Sequence, residues 1–66
     1  MNAFAAVENP TLLLVDDDEE FLSVLAPAMH KRGFLVSTAN SAESAFALAE
    51  QDPPEYAVVD LKMAGN

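Results

Sequence analysis

The sequence predicts an α/β fold: a partial doubly wound parallel sheet built as β-α-β-α-β. Three observations carry this. "TLLLV" (Thr11 to Val15) and "YAVVD" (Tyr56 to Asp60) hold apolar runs without alternation, the pattern of strands covered on both faces. The stretches between the strands place apolar residues at helical spacing. The connections are short, and such alternation closes into a parallel sheet with right-handed crossovers. At 66 residues the chain holds at most one small domain, and at 52% hydrophobic it is too apolar for a disordered segment.

Residues 1–10, "MNAFAAVENP", read as a flexible tail; they lack the basic start of a secretory signal. The domain then occupies 11–66. After strand one, Phe21, Leu22, Leu25 and Met29 form one apolar helical stripe. Asp18 is placed to cap that helix, and Glu19 and Glu20 suit its positive end. Lys31 and Arg32 suit the other end, and Gly33 closes it. Pro27 lies inside and removes one backbone hydrogen bond, so a kink is expected, with two short helices as the alternative.

"FLVST" (Phe34 to Thr38) is rich in β-formers and predicts strand two. Asn40 or Ser41 caps a second helix, with Glu43 spaced for a capping box against Asn40. Its expected buried stripe is Ala42, Ala45, Phe46 and Ala49. "QDPP" (Gln51 to Pro54) ends it, and "YAVVD" is strand three.

Charge narrows the function. Eleven acids against three bases give a net −8, and Lys31, Arg32 and Lys62 are too scattered to neutralise a row of phosphates. The chain alone is a poor nucleic-acid binder. Its acidity favours cations or basic partners, solubility being the ordinary account of the total. Without cysteine there is no disulfide and no thiolate metal site, which fits a reducing cytoplasm. No apolar run approaches a membrane span.

The acids are not evenly spread. "LLLVDDDEE" (Leu12 to Glu20) runs from apolar residues straight into five carboxylates. A solvated helix start accounts for Asp18, Glu19 and Glu20. It accounts poorly for Asp16 and Asp17, because a second apolar strand ends on Asp60 in the same way. If the strand order is 2-1-3, strands one and three are neighbours about 4.8 Å apart, with their C-terminal ends on one edge. Two carboxylates about 4 Å apart repel by roughly 4 kcal/mol at a surface-like dielectric, so three of them call for a proton or a cation. Oxygen-only ligands select a hard cation, and Mg²⁺ fits best. Zinc does not: there is no Cys, and His30 reads as an ordinary surface side chain on a helix. A calcium hand would need alternating acids and a central Gly. A dehalogenase-type phosphatase would use Asp16 and Asp18, but Glu20 stands where that pattern has Thr. With only Gly33 and Gly65, there is no glycine-rich phosphate loop.

"LLLVDDDEEF", then "RGF" (Arg32 to Phe34), then "AVVDLKM" (Ala57 to Met63) resemble a response-regulator receiver domain over roughly residues 11–66. "AMHKRGF", "TANSAESA" and "PPEYAVVDLKMAGN" further resemble redox-responsive regulators with a Fis-type helix-turn-helix output. The resemblance implies a flavodoxin-like receiver with strand order 2-1-3, of which 11–66 is the N-terminal portion. It implies that Asp60 accepts a phosphoryl group from a sensor histidine kinase. It implies Mg²⁺ held directly by Asp17, largely through water by Asp16, and by Asp60 and the backbone carbonyl of Lys62. The protein would be a cytoplasmic signalling switch rather than an enzyme, reaching DNA only through an output domain not present in this chain. Ala64 and Gly65 stand where receivers often have Pro. The family's switch Ser or Thr after strand four and its Lys after strand five have no counterpart here. Strand three is then expected to be an exposed apolar edge, which favours self-association. The alternative function is a phosphorylation-independent dimerisation or interaction module derived from a receiver.

Overall fold

The computed structural model describes residues 9–61. Most of the expected tail, and the residues from Lys62 onward, lie outside that range. Five elements follow in order: β1 (Thr11–Asp16), α1 (Glu19–Lys31), β2 (Leu35–Ala39), α2 (Ala42–Gln51) and β3 (Tyr56–Asp60). The sheet is parallel, as the alternation of elements predicts, and its order β2-β1-β3 is the one the receiver resemblance implies.

β1 is the central strand, and its side chains split between two cores. Leu12 and Leu14 face α1 and pack with Leu22, Leu25, Ala26 and Met29. Leu13 and Val15 face the other way and pack with Ala39 and with Ala45, Leu48 and Ala49 of α2. A strand with a helix on each face needs apolar side chains at every position, which is why "LLLV" does not alternate.

Asp18 caps α1, its side chain accepting from the Phe21 amide at 3.1 Å. The helix runs unbroken through Pro27, so the two-helix alternative is excluded. Its end is a Schellman turn: the Gly33 amide donates to His30 O at 2.9 Å and the Phe34 amide to Met29 O at 3.3 Å. Gly33 has φ +101°, a conformation that favours glycine. The turn takes up Phe34, so β2 begins one residue later than expected and extends to Ala39.

Two expectations about the helices need correction. Ser41 caps α2, accepting from the Ser44 amide at 3.1 Å. There is no Asn40–Glu43 capping box, because Asn40 instead donates its side-chain amide to Glu19 of α1. The core-facing stripe of α2 is Ala45, Leu48 and Ala49, each partly buried, while Ala42 and Phe46 are exposed, Phe46 by 68%. Both stripes have helical spacing. With Ser41 as cap, the helix turns positions 45, 48 and 49 onto the sheet and 46 outward. In α1 likewise, Leu22 is buried while Phe21 is half-exposed.

β3 is the exposed edge expected of it, but it lacks the cover on both faces that its unalternating sequence suggests. It pairs with β1 in register from Leu12↔Tyr56 to Asp16↔Asp60, yet every residue from Tyr56 to Asp60 is exposed. Both helices lie over β1 and β2, and neither reaches β3. Its open side has no strand partner among the described residues. It is held at its ends. Thr11 and Glu55 exchange two hydrogen bonds, Glu55 N to Thr11 Oγ1 at 2.8 Å and Thr11 N to Glu55 Oε1 at 3.2 Å. The Tyr56 ring meets Phe34 edge to face, and Leu61 packs on the α2-side core.

Candidate functional site at the sheet edge

A parallel sheet gathers the C-terminal ends of its strands on one edge, where β1 and β3 both end on aspartate. The register sets Asp16 directly beside Asp60. Because paired residues of neighbouring strands share a face, both lie on the α1 side, continuing the rows of Leu12 and Leu14, and of Tyr56 and Val58.

The two acids sit in different surroundings. Asp16 is 5% exposed, the one buried charged side chain among the described residues. Its Oδ1 accepts from the Asp18 amide at 2.9 Å. That bond offsets part of the cost of burial and turns the chain from β1 into α1. Asp60 is exposed at the end of the uncovered strand. Together they line a hollow of about 220 Å³ whose wall is Leu14, Phe21, Leu22, Leu25 and Val58. Two roomier hollows, of about 460 and 630 Å³, contain neither acid.

The acid run divides by role. Asp18 is engaged as the α1 cap. Glu19 is drawn toward Asn40, at the end of β2. Asp17 is exposed and does not line the hollow. Among the described residues no three or more His, Cys, Asp or Glu side chains stand together as a metal-binding group. The convergence expected of Asp16, Asp17 and Asp60 is thus present as the adjacent pair Asp16 and Asp60. Lys62, whose carbonyl is the fourth expected ligand, lies outside the described residues. The donors present are carboxylate oxygens only. That suits Mg²⁺, which takes one or two carboxylates and completes its shell with water and phosphate.

Phe21 and Val58 were not anticipated as walls of this hollow. Val58 could have been found from the sequence: it stands two residues before Asp60, on the same strand face. Phe21 carries no such signal, since its place depends on how α1 lies across β1.

Comparison with known proteins finds relatives among bacterial regulatory proteins. The chain is 58% identical over 53 residues to the photosynthetic apparatus regulatory protein RegA of Cereibacter sphaeroides, covering 80% of this chain and 29% of that protein. It is 48% identical over 54 residues to the acid tolerance regulatory protein ActR of Rhizobium meliloti, covering 82% and 28%. It is 37% identical over 57 residues to the transcriptional regulatory protein PrrA of Mycobacterium leprae, covering 86% and 24%. The chain therefore spans less than a third of the length of these relatives. No family model matches it, and no solved structure does. Among the described residues no helix is long and apolar enough to cross a membrane.

Proposed function

On the premise that this chain is a homologue of the RegA and ActR response regulators, we propose that residues 11–66 are the N-terminal portion of a receiver domain and that Asp60 is its phosphoacceptor. The single observation that carries this reading is the Asp16↔Asp60 register at the C-terminal edge of a parallel sheet. The exposed Asp60 carboxylate is the nucleophile. One of its oxygens attacks phosphorus, the bond from phosphorus to the kinase histidine nitrogen breaks, and that nitrogen keeps the electron pair. Asp16, anchored by the Asp18 amide, adds a second fixed carboxylate beside the acceptor. Mg²⁺ would be held by Asp16, Asp17, Asp60 and the Lys62 carbonyl, and when bound it neutralises the charge gathered there.

The partner is a sensor histidine kinase, and the setting is the cytoplasm. The parent protein is a redox-responsive transcriptional regulator whose Fis-type output domain contacts DNA. Incubating the protein with a small acyl phosphate tests the acceptor. The expected product is a Mg²⁺-dependent, hydroxylamine-labile phosphoryl adduct on Asp60, absent from Asp60→Asn. A folded protein that takes up no phosphoryl group contradicts the reading.

One observation favours a second reading. Among the described residues nothing covers the outer backbone edge or either face of β3, and Val58 and Val59 are exposed. Such an edge is a template for strand pairing. The chain would then act as a phosphorylation-independent interaction module. Self-association without any adduct at Asp60 would favour this reading over the first.

A further inference from the structure

The site depends on a register that hydrophobic burial sets only in part. A strand with one buried face resists slippage, because a slip of one residue turns its apolar set outward. β3 has no such protection, since Tyr56 to Asp60 are exposed and no helix covers them. Leu61, packed on the α2-side core, opposes a slip of one residue, which would carry it to the α1 side. It opposes a slip of two only weakly, because a slip of two keeps Leu61 on its face. That slip would displace Asp60 by roughly 6.6 Å along β1, leaving Asp16 without its neighbour.

We infer that Thr11 and Glu55 are positioning residues for Asp60, forming a clamp at the far end of the sheet that holds Asp60 beside Asp16. The clamp is reciprocal and spans 44 positions of sequence: Glu55 N donates to Thr11 Oγ1 at 2.8 Å, and Thr11 N donates to Glu55 Oε1 at 3.2 Å. Each bond joins a backbone amide of one residue to the side chain of the other, so both are lost together if β3 slides by one or two residues. The clamp lies one position before Leu12↔Tyr56, the first pair of the register. The Phe34–Tyr56 edge-to-face contact, centroids 6.3 Å apart, adjoins it. Residues that touch neither phosphoryl donor nor cation therefore set the distance between the two acids.

Only the consequence for phosphoryl uptake rests on reading Asp60 as the acceptor; the register is measured separately. The test uses Thr11→Val, which keeps size and strand preference but removes the hydroxyl, and Thr11→Ser, which retains it. Cross-strand nuclear Overhauser contacts between the β1 and β3 backbones report the register. Uptake from an acyl phosphate reports the site. Thr11→Val is expected to shift the register population about tenfold, the scale of one net hydrogen bond. In the slipped fraction uptake falls by about 100-fold or more, as misplacement of a reacting group does. Thr11→Ser restores both, which a merely destabilised strand would not show. An unchanged Leu14–Val58 contact pattern in folded Thr11→Val overturns the clamp, as does a slip that Thr11→Ser fails to reverse. A slip in Thr11→Val reversed by Thr11→Ser, with no uptake in any protein including the parent, upholds the clamp and rejects the phosphoacceptor reading.

Discussion

β1 and β3 are close to the same sentence written twice. "LLLVD" and "YAVVD" each carry apolar residues to a terminal aspartate, and the two strands are paired neighbours. Yet Val15 is 2% exposed and Val59, its partner across the register, is 62% exposed. The difference lies outside the strands. α1 and α2 both cross β1, because a right-handed crossover on each side of the central strand stacks a helix there. Neither reaches β3. Burial is a property of position in the sheet, and the same apolar run is core in one strand and open surface in the next.

The largest effect should come from breaking that comparison directly. Leu14→Ala opens a cavity under α1 and is expected to cost about 2–5 kcal/mol, enough to remove a cooperative transition from a small domain. Val59→Ala changes an exposed side chain and should stay within about 0.5 kcal/mol. Urea denaturation followed by circular dichroism compares the two. Equal losses would mean that β3 is covered in solution.

A smaller effect tests how α1 is brought over β1. Gly33→Ala meets no atom within 4 Å, so only the backbone at φ +101° resists it. The expected cost is about 1–2 kcal/mol, read from the same denaturation curve. A neutral result would show that the turn relaxes without moving β2.

The smallest effect sharpens the assignment of the α2 cap. Ser41→Ala should cost about 1 kcal/mol, with fraying of α2 visible in amide exchange at Ser44. Asn40→Ala should leave that amide protected, since Asn40 reaches Glu19 rather than the helix. Loss of protection at the Glu43 amide in Asn40→Ala would restore the capping box expected from the spacing of Asn40 and Glu43.

These contrasts also mark what could be read before the fold was known. The element order, the parallel sheet and the Asp18 cap follow from local rules: apolar runs, helical spacing and a capping residue at a helix start; the 2-1-3 order follows from the receiver resemblance. The adjacency of Asp16 and Asp60 was legible too, because parallel neighbours that end alike must end together. The exposure of Phe46 was not, since the stripes 42/45/46/49 and 45/48/49 have equally good helical periodicity. The Thr11–Glu55 clamp was not, because nothing local links residues 44 positions apart. The place of Asp17 was the subtlest. Sequence grouped it with Asp16, but β1 ends on Asp16, and the next residue leaves the row that faces Asp60.

The most direct measurement is a Mg²⁺ titration followed at each backbone amide of the acidic segments. The account predicts a saturable response centred on Asp16, Asp17 and Asp60, lost in Asp60→Asn. A response spread evenly over Asp18, Glu19 and Glu20 and unaffected by Asp60→Asn would contradict it. The acid run would then be a solvated helix start, with no cation site between the strands.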